Sequence, residues 1–150
     1  MFDKNNKDIE TLDTLIATTC DSIEGYRDSA EKVDDPQLAA TFRECAQERT
    51  KVLESLQSQL VANGGEKRDE GSILGAMHRT YLGLKDAVTG SDRQAICNEI
   101  ETGENYLKEK FDAALSQDEL SPQTRQVIQT AQTEIARTGQ PVSGIMPTAV

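Results

Sequence analysis

Apolar residues return along this chain at steps of three and four, the spacing that lines one face of an α-helix, and they do so in five successive blocks. The first, about residues 8–33, carries Ile9, Leu12, Ile16, Thr19, Ile23, Tyr26, Ala30 and Val33 in an unbroken heptad rhythm. The second carries Leu38, Phe42, Cys45, Val52 and Leu56, with Ala39, Ala46, Leu53 and Leu60 on a parallel row. Between them Asp34-Asp35-Pro36 ends one helix and starts the next, with Asp35 as N-cap and Pro36 at the first helical position. So short a link predicts an antiparallel hairpin. Ala62-Asn63-Gly64-Gly65 then stops the second helix.

The charged, glycine-bounded stretch 66–71 reads as an exposed loop. A shorter third helix follows over about 72–89, with Leu74, Met77, Tyr81, Leu84 and Val88 as its stripe and Gly90 at its close. Ser91 caps a fourth helix, and Gln94 completes a capping box. Its inward face is Ile96, Ile100, Gly103, Leu107, Phe111 and Ala114. A glycine in mid-helix costs about 1 kcal/mol against alanine, so Gly103 predicts a close helix approach. Ser121-Pro122 opens a fifth helix carrying Ile128, Ala131 and Ile135, which Gly139-Gln140-Pro141 is expected to end. The expected organisation is one all-α domain over residues 1–138 and an extended C-terminal tail over 139–150. Within the domain, the first two helices and the last two form antiparallel hairpins, with the third travelling back between them as a crossover. That is a ferritin-like antiparallel four-helix bundle with an additional crossover helix.

Composition narrows the partners. The chain has 150 residues, no tryptophan and a net charge of −10. An excess of acid over base disfavours duplex nucleic acid, where affinity comes from displaced counterions, and disfavours anionic membrane surfaces equally. The opening MFDKNNKDIE has no apolar run, and no later window approaches a bilayer span, so a cytoplasmic protein is expected. Cys20, Cys45 and Cys97 are odd in number and fall among helical core positions, which predicts buried reduced thiols. A redox pair of Cys20 and Cys45 has no CxxC spacing behind it.

A ferritin-like pattern raises the question of a paired-metal carboxylate site, which takes a Glu from each of two helices and Glu-x-x-His from each of the other two. Such oxygen and imidazole donors suit iron or manganese. The one histidine, His78, lies on the third helix, about 60° off its apolar stripe. The inward pairs that would correspond are Ala46 and Arg49 on the second helix, and Glu134 and Arg137 on the fifth. A guanidinium cannot ligate a cation, and one turned inward must be paired or hydrated. The expectation is therefore a set of buried ion pairs, Arg49 and Arg137 neutralised by Glu24, Glu99, Glu104 and Glu134, with no metal and no catalytic residue. The alternative is a di-metal carboxylate oxidoreductase, or a protein handling iron or manganese, using Glu24, Glu104 and Glu134 with His78 recruited. No GxSxG, Walker A loop, GxGxxG or HExxH occurs. Tyr26, Tyr81 and Tyr106 read as core-edge aromatics.

The segments EGYRDSAEKVDDPQL, FRECAQERTKVLESL, GSILGAMHRTYLGLK and GEN, taken in order, resemble a bacterial ferritin-like four-helix-bundle family catalogued as a domain of unknown function. The similarity covers about residues 8–138. The family's recurring residues map to Gly25 and Tyr26, Arg49, Gly71 and Ser72, His78 and Arg79, and Gly103 and Glu104. Tyr81 stands where a tryptophan is common, and the last helix lacks the histidine that relatives often carry there. The resemblance implies a ferritin-like fold, a cytoplasmic location and involvement in stress responses, and it supplies no reaction. The expected role is therefore non-catalytic, acting through association as a homodimer or with another protein. A small-ligand site near Gly103 is a third possibility.

Overall fold

A computed structural model describes the backbone of residues 2–67 and 93–145, with side chains at 7–67 and 94–138. The described residues form four helices and no strand: α1 (Phe2–Lys32), α2 (Pro36–Ala62), α3 (Arg93–Leu115) and α4 (Pro122–Ile145). The expected third helix and crossover, with Gly71, Ser72, His78, Arg79 and Tyr81, lie outside the described residues.

The turns form where the sequence puts its stop signals. The Asp35 carboxylate accepts from the backbone N–H of Gln37 at 2.9 Å and of Leu38 at 3.3 Å, which satisfies donors the first turn of α2 leaves open. At the other end, Gly64 takes φ +96°, the left-handed region where a side chain would be strained. Its N–H bonds the Val61 carbonyl and that of Gly65 bonds the Leu60 carbonyl, the two-bond closure that ends many helices.

Two bounds differ from expectation. α1 begins at Phe2 rather than near Asp8, and the Asp8 side chain is engaged elsewhere, as described below. α4 runs through Gly139 and Pro141 to Ile145 instead of stopping at Gly139, so residues 139–145 are helix and not extended tail. Proline's fixed φ is itself helical; it removes one N–H donor and crowds one carbonyl without dictating a stop.

α1 packs against α2 and α3, and α4 closes the ring by packing against the same two. The end of α2 and the end of α3 both meet the starts of α1 and α4. Asn63 reaches Thr124, Gln117 reaches Thr11, and Ser121 reaches Asp8. Neighbouring helices are therefore antiparallel, with α2 and α3 running the same way on one diagonal. Inside lies one apolar core that includes Leu12, Ile16, Ile23, Phe42, Leu56, Leu107, Phe111 and Ile128. Burying each such side chain contributes roughly 1.5–3 kcal/mol. No helix among the described residues is long and apolar enough to cross a membrane.

Candidate functional site: a buried arginine at the centre

Arg49 occupies a core position on α2 because it continues the row Phe42, Cys45, Arg49, Val52, Leu56, at steps of three and four. It is the largest of the fully buried side chains, 0% exposed. Its Nη1 donates to Glu104 Oε1 at 2.7 Å and its Nη2 to Oε2 at 2.8 Å, the two parallel bonds of a fork-to-fork pair. Nη1 also donates to Ser22 Oγ at 2.7 Å, and Nη2 to the Ile135 carbonyl at 3.4 Å. The guanidinium lies 5.3 Å from the centroid of the Tyr26 ring, within cation–π range. One side chain thus ties α2 to α1, α3 and α4.

The surrounding groups are held neutral. Burial, with the Glu104 charge adding and the Arg49 charge opposing, pushes the Tyr26 phenol far above its ordinary value. Burial pushes the Cys45 thiol up to about 11, again against the pull of Arg49. Burial disfavours the charged guanidinium, but the Glu104 hydrogen bonds and charge outweigh it and hold Arg49 above its usual range. At neutral pH the site is one ion pair flanked by a protonated thiol and a protonated phenol. Cys45 donates to the Thr138 carbonyl at 3.6 Å, so its sulfur is a packed, protonated group and not a nucleophile. All three cysteines are buried thiols.

The structure separates the expected ion-pair set. Arg49 and Glu104 come together. Glu134 and Arg137 pair with each other at 2.7 Å on the surface, with the Arg137 side chain 62% exposed. This corrects the expectation that Arg137 is buried. The buried row of α4 runs Thr124, Ile128, Ala131, Ile135, Thr138, and Arg137 sits one residue before Thr138, turned about 100° away. Glu24 is half-buried, and Glu99 is half-buried on α3 with its Oε1 enclosed and unbonded. The alternative metal set is not assembled by Glu24, Glu104 and Glu134: both oxygens of Glu104 bind Arg49, and Glu134 faces out. His78 lies outside the described residues. Among the described residues no cluster of three His, Cys, Asp or Glu side chains is arranged to hold a metal.

Gly103 also departs from expectation. It is exposed, and a Cβ there would meet nothing within 4 Å, so no close helix approach requires it. Tyr26 is a core aromatic, tilted against Phe42 with centroids 5.8 Å apart, whereas Tyr106 is 43% exposed.

Ser22 and the Ile135 carbonyl are partners of Arg49 that the residue pattern did not single out; a backbone acceptor has no sequence signal. A second buried polar cluster also escaped it. Asp8, 1% exposed, accepts from Ser121 Oγ at 2.6 Å, Ser121 N at 3.1 Å and Thr124 Oγ1 at 2.9 Å. Asn63 donates to Thr124 Oγ1 at 2.9 Å, and Gln59 to Asn63 at 3.0 Å. The Asp8 charge lies at the positive end of α4, where the helix dipole favours it. Extending the α1 stripe back by four residues from Leu12 would have found it.

Residues 7–117 match the model of a family described as Domain of unknown function (DUF2383). No curated protein matches the chain.

Proposed function

The chain belongs to the DUF2383 family, and from the Arg49–Glu104 pair we propose that it is a non-enzymatic, ferritin-like helical protein that acts by association. In this reading the two hairpins are α1–α2 and α3–α4, joined by a long crossover, and the fold is that of a carboxylate metalloprotein whose centre has been given over to an ion pair. The observation that carries it is the fully buried guanidinium with both Glu104 oxygens committed to it. A fixed positive charge in the core repels a cation and removes a carboxylate from the ligand set, so the described residues do not fit a di-metal centre. The neutral thiol and phenol beside it supply no nucleophile or base, which supports a structural role for the site. Association takes the form of a homodimer or a complex with another protein. A cytoplasmic location and a role in stress responses go with the family resemblance.

The test is metal analysis and sedimentation of the full chain purified without chelator. The expected result is a self-associated or partner-bound species with no stoichiometric metal. One or two iron or manganese ions per chain, lost in Glu24→Ala and Glu104→Ala, would overturn the reading in favour of a metal-handling protein.

A further inference from the structure

The end of α2 is joined to the start of α4 and to α1 by a chain of hydrogen bonds that runs in one direction. Gln59 Nε2 donates to Asn63 Oδ1 at 3.0 Å, Asn63 Nδ2 donates to Thr124 Oγ1 at 2.9 Å, and Thr124 Oγ1 donates to Asp8 Oδ2 at 2.9 Å. Asp8, 1% exposed, takes a second hydroxyl proton from Ser121 at 2.6 Å. A hydroxyl has one proton, and Thr124 gives its own to Asp8, so the group that meets it from α2 must be a donor. The Asn63 amide meets that demand. An aspartate of the same shape does not.

The next residue makes that amide chemically vulnerable. The turn that ends α2 uses a left-handed residue, and Gly64 supplies it at φ +96°. With no side chain on Gly64, its backbone nitrogen reaches the preceding side chain with the least hindrance. In that reaction Gly64 N attacks Asn63 Cγ, the Cγ–Nδ2 bond breaks, and ammonia leaves with the proton that the Gly64 nitrogen gives up. Water then opens the five-membered imide at one carbonyl or the other, leaving an aspartyl or an isoaspartyl residue. No oxidation state changes.

Folded, the chain opposes this step. The Gly64 N–H is committed to the Val61 carbonyl at 3.0 Å, and both polar atoms of the Asn63 side chain are held. Asn63 sits at ψ 0°, and closing the imide ring requires rotation about that bond, which breaks the turn. Asn63 is half-buried and Gly64 is exposed, so water reaches the turn once it opens. We propose that Asn63-Gly64 is a self-modification site gated by the Asp8 cluster, unreactive while the ends of α1, α2 and α4 are docked and deamidated when they part. The change is one-way. An aspartate puts a second carboxylate on Thr124 Oγ1 beside Asp8, two like charges with one hydroxyl proton between them. An isoaspartate lengthens the main chain inside the turn. Prolonged opening of this end is thereby recorded as a chain that recloses poorly. This goes beyond the association reading and does not depend on it.

The experiment incubates the full chain at mildly alkaline pH and follows the Asn63 peptide by mass mapping, with the urea-unfolded chain as the ungated reference. The folded chain is expected to react about tenfold or more slowly than the unfolded one, the scale of opening against two hydrogen bonds. Thr124→Val removes the acceptor of Asn63 and should bring the folded rate most of the way to the unfolded rate. Gln59→Leu, which frees only the Asn63 carbonyl and leaves the Asp8 bonds intact, should raise it by a smaller factor. Asn63→Asp should lower the thermal midpoint. The double variant Asp8→Asn/Asn63→Asp reverses the direction of the hydrogen bonds around a single charge and should recover most of that loss. A folded chain that reacts as fast as the unfolded one, a rate unchanged in both Thr124→Val and Gln59→Leu, or an Asn63→Asp chain as stable as the parent would overturn the proposal.

Discussion

A guanidinium taken out of water is stable only if nearly every donor finds an acceptor, and Arg49 achieves this by drawing one partner from each of three other helices. Its Nε remains without a partner, so the pair contributes more to helix register than to net stability. The neutral neighbours give this residue a pH signature. The Cys45 thiol titrates near 11 in the folded chain, above its value in an unfolded one, and Tyr26 is shifted the same way. Their contribution to stability is complete below the unfolded value and is lost as pH rises through the folded one. Urea midpoints should therefore be flat from neutral pH to about 8.5 and fall above it. Cys45→Val should flatten the portion between about pH 9 and 10, leaving the steeper loss from Tyr26. Arg49 itself was legible as an inward residue because it sits on the α2 stripe. Which carboxylate would meet it was not, since that depends on the rotation and axial slip of α3 against α2, and several acidic residues satisfied the spacing equally.

At the level of the helices, the stop and start signals were the most readable features. Asp35-Pro36, Asn63-Gly64-Gly65 and Ser121-Pro122 each act within one turn of chain, so local chemistry decides them. Gly139 and Pro141 misled because a proline penalises a helix without forbidding it, and Arg137 misled because its face is set by the register of a stripe with few large residues. Gly103 offers a sharp test of helix energetics. With its Cβ meeting nothing, Gly103→Ala should stabilise the fold by about 0.5–1 kcal/mol, raising the thermal midpoint by roughly 1–4 °C. Beyond the C-terminal end of α3, the Asp8 cluster joins α1, α4 and, through Asn63, α2. Asp8→Ala strands the Ser121 N–H and its neighbouring hydroxyls, and should cost about 2 kcal/mol in urea unfolding.

For the molecule as a whole, the apolar rhythm was enough to give helix number and hairpin pairing within the described residues, because burial of a stripe is a collective property that tolerates single errors. The polar interior was harder to read, since each buried charge depends on one partner in one orientation. At its centre an ion pair, the guanidinium fully buried and the carboxylate 25% exposed, holds four helices in register. The most direct test is a double-mutant cycle read by urea unfolding, with Glu104→Leu, Arg49→Met and the double variant Arg49→Met/Glu104→Leu. Removing the Glu104 carboxylate should cost about 3 kcal/mol or more by stranding the fully buried guanidinium, Arg49→Met should cost less because the Glu104 side chain is 25% exposed, and the double variant should recover most of the larger loss. Single losses below about 1 kcal/mol that simply add in the double variant would show that Arg49 and Glu104 are not a buried pair, and would contradict the account.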